Sequence, residues 1–596
     1  MRKDPSASWW TSLSPRLRQR ALEIAPGSLT WTVLIFPLIL AFVICINDPV
    51  DLWVIGLGAV LLDGYWFLRT AVTVYWVWRS LGELRCVQAE DWWTKCERLR
   101  PASGQPGPDD ITHCILIPTD TERYEVLRAT IEAVAALKYP GHLKVCAIIT
   151  RETDTGALEN VKRLREELGH HFRAFIHIKN PLLPGIVVGK STALAYGGPV
   201  LRRHCDELGL DPARTLVTDL DPDFRLHPQY FAYITWNFLH VDGALTSIWQ
   251  PVPVLLNNLW RVPAAVRVMA TAATQWQMFV HQHPDRLVTS SSYTLSMKLL
   301  SEVGYWDSDV FPEDSRFFWK AFFHCGEELQ VRPAFLPVSG DVPRARSEPS
   351  TRAGQHQHAN WGTGDATDVP YVCAQMLNHP EIPWWLRVRR FRSMMFNQLT
   401  WTTLPLLLPI VGSMPVLMSL NDRTSPTGTA LGVLATVLLG MTLLNIIVLI
   451  VIDRAMCPKP PEWRRWRRLY ADIQLLLYPV VSLRLAVIPD LVAKSRLMFA
   501  AYVGYQAGQD YVVTDSVDRV TDPGLASITL SVGLMLLPPH ARRLWGDQFL
   551  DHRSEQLQDG GLQSRIERAR FTLSVLHGIV KLSVITRWPG LGRGGG

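Results

Sequence analysis

"PGIVVGKSTALAYGG", residues 184–198, is where the reading of this sequence divides. A glycine-rich turn ends in Gly189-Lys190-Ser191 and leads into small helix formers. That is the outline of a phosphate-cradling P-loop, which would make the chain a nucleotide hydrolase. The P-loop pattern needs four residues between its first glycine and the Gly-Lys pair. Here only Ile186, Val187 and Val188 separate Gly185 from Gly189. The shortened loop loses one of the successive backbone N–H groups that wrap a diphosphate, and adjacent valines resist its positive-φ turns. The spacing argues against a P-loop, and Lys190 needs another role.

The surroundings of Lys190 supply the fold. Residues 113–118 (HCILIP) read as a strand and 122–137 as a helix. A strand at 143–150, a helix at 155–169, a strand at 172–178, a helix at 191–207 and a short strand at 215–218 follow. This alternation predicts an α/β domain with a mainly parallel sheet covered by helices. In such sheets ligands bind beyond the strand carboxyl ends, so the residues just after each strand are read first.

After the fourth strand comes "TDLDPDFRLHPQYF". If the segment stays extended, Asp221 and Asp223 face one way. Paired carboxylates at a strand end suit a hard divalent cation, although aspartate is also common in turns. Asp219 with Asp221 is the competing pair. Further on, Glu313-Asp314 in "VFPEDSRFFWK" stands at an expected helix start. Two roles are open there: plain capping of the helix, or a general base facing the cleft. "GQHQHANWG", 354–362, clusters polar and aromatic residues without an evident structural reason.

The rest of the chain is organised around a membrane. Its 596 residues are 48% hydrophobic and 19% charged, which fits apolar spans joined to a soluble domain. Uncharged runs at 29–46, 399–420 and 428–452, with 52–78 interrupted by Asp63 and Arg69, predict four spans. Inside the second, Asp63 and Arg69 could line a pathway, but a buried pair within the helical bundle is the favoured arrangement. Arginines cluster before the first and third spans and after the fourth, whereas the short loop 47–51 has no Lys or Arg. By the positive-inside rule both termini and 79–395 are expected in the cytoplasm, of a multi-pass protein of the plasma (inner) membrane. The first span is read as an anchor. Whether 469–492 crosses or lies on the membrane stays open. The net charge of +6 is accounted for by these basic flanks, so no nucleic-acid partner is expected. Nine cysteines are scattered without zinc spacing and are expected as free thiols.

Taken in order, these motifs resemble the family-2 glycosyltransferases, particularly the membrane-embedded synthases of the cellulose and hyaluronan type. "ILIPTDTERYEVLRATIEAVAALKYP" resembles that fold's opening strand and helix, and "GKSTALAYG" its Gly-Lys-x-x-Ala-Leu-Asn element. "LDPDFRLHP" is similar to its D-x-D strand end and "PEDSRFFWK" to its Glu-Asp segment. The resemblance covers about residues 110–365 and the flanking spans. It implies a GT-A-like domain in the cytoplasm, inserted between transmembrane helices. It also implies a nucleotide-sugar donor and a glycan or lipid-linked acceptor. Asp314 becomes the catalytic base, and Asp221 and Asp223 the ligands of Mg²⁺ or Mn²⁺. Glu152 or Asp154 (from "TRETDTG"), Lys190 and Asp221 take the donor. Gln357 and Trp361 take the acceptor. One departure stands out: where processive synthases carry Q-x-x-R-W, this chain has Asn360 in place of the arginine, removing a charge near the diphosphate or acceptor. A non-catalytic scaffold binding nucleotide-sugar or partners is the alternative. The expected layout is 1–78 as N-terminus and first two spans, then 79–395 as the transferase domain. Membrane and interfacial helices follow at 396–520, with an extension of unassigned role at 521–596.

Overall fold

The computed structural model describes residues 15–47, 52–119, 122–181, 189–308, 310, 313–342, 367–416 and 426–499. Gln357, Asn360, Trp361 and the 521–596 extension lie outside the described residues, as does 182–188 of the opening stretch.

Two long helices come first, α1 (Pro15–Asn47) and α2 (Leu52–Ala89). The α/β domain then runs β1 (Thr112–Pro118), α3 (Tyr124–Ala135), β2 (Lys144–Arg151), α4 (Thr155–Leu168), β3 (Ala174–Asn180), α5 (Lys190–Glu207) and β4 (Thr215–Asp219). It continues through β5 (Arg225–Leu226), α6 (Tyr230–His240), β6 (Ser247–Leu255), α7 (Ala264–His281), β7 (Tyr293–Ser296), α8 (Glu313–Cys325) and β8 (Gln330–Gly340). The eight strands form one sheet in the order β3-β2-β1-β4-β7-β6-β8-β5. The strands β3, β2, β1 and β4 run parallel to one another, whereas β7 is antiparallel to both β4 and β6. This is the expected α/β class with a mainly parallel sheet.

Both faces of the sheet are covered, which is why β1 and β2 read as nearly continuous apolar runs. Alternate residues serve opposite cores. Cys114, Leu116, Ala147 and Ile149 pack with Leu194 and Leu201 of α5 and Phe317, Phe318 and Phe322 of α8. Ile115, Ile117 and Ile148 pack with Leu127 and Ile131 of α3 and Leu164 of α4. Two further glycines at the end of the opening stretch have a packing role. A Cβ at Gly197 would overlap the Ile149 side chain, and one at Gly198 would press on Tyr305 and Trp306. They let α5 lie close on the sheet. The third strand starts at Ala174, two residues later than expected, because Phe172 closes a short 3-10 turn on Gly169.

Among the described residues four segments are long and apolar enough to cross a membrane: Gly56–Ala89, Trp384–Val416, Thr429–Met456 and Arg465–Met498. Three correspond to expected spans. The expected span 29–46 lies within α1, where residues 40–46 fall outside the side chains the structure describes, and the region left open around 469–492 belongs to the fourth segment. Three helices of this set matter below: α9 (Trp384–Leu407), α10 (Pro426–Met456) and α11 (Ile488–Met498). A π-helical turn, Leu408–Gly412, continues α9. One expectation fails here. Asp63 and Arg69 do not pair, because a six-residue offset turns their side chains roughly 120° apart on a helix. Arg69 instead donates to the Tyr65 hydroxyl at 3.0 Å and stands over the Phe396 ring.

Candidate active site

The parallel strands change direction of succession between β1 and β4, and such a switch point opens a crevice at the strand carboxyl ends. Asp219 ends β4 there, level with Leu116 of β1. Lys190 is the first residue of α5 and points its ammonium into the same crevice. Four carboxylates surround it. Nζ lies 3.1 Å from Asp219, 2.8 Å from Asp221, 3.1 Å from Glu313 and 3.4 Å from Asp314. That is the role the opening stretch left unexplained: Lys190 is the shared counter-charge of an acidic crevice.

The fourth side of the crevice comes from the residues before β7. Because β7 runs antiparallel to β4, with Tyr293 opposite Asp219, the run Thr289–Ser292 is carried to the acidic group. Ser291 N–H donates to Asp314 Oδ2 at 2.7 Å, while the Ser291 carbonyl accepts from Lys190 at 2.9 Å. Ser291 holds φ at +55°, a left-handed conformation that a non-glycine residue keeps only when its surroundings impose it. Gln250 imposes it from below. Its side chain accepts from Ser290 N–H and donates to the Ser290 and Ser292 carbonyls. None of these residues emerged from the sequence reading; a serine run ahead of a short strand was the only trace.

Asp314 sits in the first turn of α8, yet its carboxylate accepts from Ser291 on a different element. Its side chain is held towards the crevice by that bond and by Lys190. The neighbouring residues Ser315 and Arg316 donate to buried Asp368 at 2.5 and 2.9 Å, tying α8 to the helix at 367–378.

The charges are strongly coupled. Burial alone would lower the Lys190 ammonium, but the four carboxylates outweigh it and hold the pKa well above its ordinary value. Burial pushes Asp219 up to about 8, with Lys190 pulling against it and Asp221 and Glu313 adding to it. Asp221 and Asp314 are likewise raised, by burial first and against the pull of Lys190.

Asp223 stands apart from Lys190. The segment 221–224 is a turn closed by Phe224 N–H on the Asp221 carbonyl, so Asp221 and Asp223 do not share one face of an extended strand as expected. Asp223 is raised well above its ordinary value by burial, then by Asp221, Asp341 and Glu122. All three charged groups acting on it are acidic.

Two places suit a divalent cation by their oxygen donors. Ligand atoms of Asp219, Glu313 and Asp314 lie within 4.8 Å of one another, but there Lys190 already supplies a positive charge. At the turn Asp221 shares the Lys190 ammonium, whereas the charged neighbours that act most on Asp223 are acidic. The residue types therefore fit a hard divalent cation.

The expected nucleotide contacts lie elsewhere at the strand ends. Asp154 caps α4, accepting from Ala157 N–H at 2.9 Å, and Glu152 is exposed in the turn after β2. Neither touches the Lys190 group. A cavity of about 440 Å³ runs from Asp314 and Ser291 along α7 to α9 and α11. Trp276, Arg390, Asn397, Trp401 and the Asp490–Lys494 ion pair line it. A larger groove, about 990 Å³, follows β3 and α4 and contains none of the acidic group.

No protein-family profile matches the sequence, and neither does any curated protein. Among solved structures the chain is similar to a mannosyltransferase, PcManGT from Pyrobaculum calidifontis, in complex with GDP-Man and Mn²⁺. The identity is 13% over 70% of this chain and 97% of that one, with a TM-score of 0.35. It is also similar to S. aureus TarS 1–349 in complex with UDP-GlcNAc, at 11% identity over 66% of this chain and 92% of that one, with a TM-score of 0.29. At such distances function has to be argued from the crevice itself.

Proposed function

We propose that this chain is a membrane-bound, inverting glycosyltransferase that moves a sugar from a nucleotide-sugar donor to a glycan or lipid-linked acceptor. The observation that carries this reading is the position of Asp314. It is one carboxylate of the Lys190 group at the strand carboxyl ends, and it also lines the cavity leading to the apolar helices. Donor and acceptor can therefore meet at a single side chain.

In this reading Asp314 takes the proton of the acceptor hydroxyl as that oxygen attacks the anomeric carbon from the cavity side. The Ser291 N–H holds the carboxylate in place, and Lys190 keeps the group from accumulating uncompensated charge. Asp221 and Asp223 are the proposed ligands of Mg²⁺ or Mn²⁺, which when bound stabilises the charge on the departing nucleoside diphosphate. Asp219 remains the competing ligand. Glu152 or Asp154 takes the nucleotide end, and Gln357 and Trp361 the acceptor. The soluble domain is placed in the cytoplasm on the strength of the basic flanks.

The test is sugar transfer by purified membranes from a panel of labelled nucleotide-sugars, with and without EDTA. Transfer from at least one donor, lost with EDTA and restored by Mg²⁺ or Mn²⁺, is expected. Asp223→Asn should abolish it while the protein stays folded and inserted. Full activity in Asp223→Asn, with loss in Asp219→Asn, moves the metal to the strand end. Donor binding without transfer from any donor would instead leave the scaffold alternative standing.

A further inference from the structure

Asp63 lies in α2 within a segment read as crossing the membrane. It is 2% exposed, and neither carboxylate oxygen has a hydrogen-bond partner among the described residues. It packs against Gly412, the last residue of the π-helical turn, so closely that a Cβ there would collide with Asp63 Oδ1. π-Helical turns break the regular i→i+4 ladder and recur at functional positions. An ionisable side chain at membrane depth is normally paired or lines a path, and Asp63 is unpaired.

Among the described residues, no element packed on this part of α2 offers a counter-charge. α1 carries no charged residue after Glu23, and α10 none before Asp453. The stretch 393–416, which includes the turn, has none. On α2 itself the nearest charge is Arg69, engaged with Tyr65 and Phe396. β8 meets α2 only around Val77–Leu84, roughly 20 Å along the helix at 1.5 Å per residue. An ionised carboxylate is heavily penalised in such surroundings, and a neutral acid far less. A metal cation is a poor occupant, because hard cations need several oxygen ligands and only one side chain is offered.

We propose that Asp63 is a proton-binding site inside the membrane bundle. The carboxyl holds its proton while α2 lies against the 408–412 turn, and losing that proton weakens this packing. The proposal rests on the reading that α2 crosses the membrane, and it needs no glycosyl transfer.

The probe is N,N′-dicyclohexylcarbodiimide, a lipid-soluble reagent for protonated carboxyls. The carboxyl proton passes to one carbodiimide nitrogen while the oxygen bonds the central carbon. The O-acylisourea then rearranges to a stable N-acylurea, an addition with no leaving group. Full-length protein in lipid vesicles is treated between pH 5 and 9, and adducts are mapped by mass spectrometry. We expect one adduct in the bundle, at Asp63, absent from Asp63→Asn and not formed by a water-soluble carbodiimide. Asp490, paired with Lys494, should stay unlabelled. Above the ionisation point the rate should fall about tenfold per pH unit, following the protonated fraction. Thermal stability in detergent should fall at alkaline pH in the wild type and less in Asp63→Asn. The sign follows from linkage: an acid that keeps its proton when folded and releases it when unfolded loses stability as pH rises. No adduct at any pH, or equal labelling by the water-soluble reagent, overturns the proposal. Identical alkaline losses in wild type and Asp63→Asn overturn its packing half.

Discussion

Asp219 in the crevice and Asp63 in the apolar helices are both buried carboxylates. Their neighbours differ. Asp219 has the Lys190 ammonium 3.1 Å away and three further carboxylates on the same cation. Asp63 has the Cα face of Gly412 and apolar side chains. In one place burial concentrates charge around a single counter-ion, a state that a second cation would relieve. In the other, burial leaves neutralisation by a proton as the available escape. The contrast teaches that burial alone does not mark a catalytic group. What marks the crevice is several acids sharing too little positive charge at a strand end open to a cavity.

The largest effect expected from breaking this contrast is chemical. An acceptor hydroxyl is a poor nucleophile at neutral pH, and a positioned general base typically contributes about 10²–10⁴ in rate. Asp314→Asn keeps the size and still accepts the Ser291 N–H, but it cannot take a proton. Turnover should drop by about 10²–10⁴, with donor affinity little changed and Glu313→Gln costing much less. Initial transfer rates beside nucleotide-sugar binding separate the two. Near-normal turnover in Asp314→Asn would leave Asp314 a structural carboxylate and send the search for a base elsewhere.

A second effect turns Asp219 into a residue like Asp63. Lys190→Met removes the shared cation and leaves four carboxylates around an apolar side chain. Removing one partner of a buried ion pair costs about 3–5 kcal/mol, and partial exposure of Lys190 places this case near the lower end, about 3. The domain's thermal transition, followed by tryptophan fluorescence in detergent, should fall accordingly at pH 7.5. The loss should shrink as pH is lowered, because the raised carboxyl groups then take up protons and need no cation. A variant as stable as the wild type at pH 7.5 would show that the carboxylates are already neutral without Lys190.

Much of this was legible in the sequence. The βαβ alternation read out β1 to β4 because parallel strands buried on both faces must be apolar throughout. Asp314 and Lys190 could be singled out because each follows a local signal, an acidic helix start and a Gly-Lys turn. Asp219's share of the crevice was harder to read, since Lys190, Asp219 and Asp314 meet only through strand order. Ser291 was illegible, because its part depends on a backbone conformation imposed by Gln250 from another strand. The Asp63–Arg69 pairing failed for a simpler reason. Proximity in sequence was taken for proximity in space, and helical geometry turns a six-residue neighbour away.

The smallest expected effect comes from a third kind of buried ionisable group, one supported by a neutral hydrogen bond. His113 of β1 is fully buried, its Nε2 2.9 Å from the Thr235 hydroxyl and its ring stacked on Phe231. Burial lowers its pKa to about 3. Between that value and the ordinary 6.5, the unfolded chain binds a proton that the folded domain refuses. Stability should therefore fall as pH falls through this window, by up to ~1.4 kcal/mol per unit, or about 2 kcal/mol from neutral pH to pH 5. His113→Gln keeps a hydrogen-bonding group near Thr235 and removes the titration. It should be less stable than the wild type at pH 7.5, with the gap narrowing by about 2 kcal/mol at pH 5. The measurement is the thermal transition of both proteins across that range. Parallel curves would show that His113 does not carry the acid sensitivity, and that the crevice carboxylates cannot be contrasted with a histidine held neutral by burial.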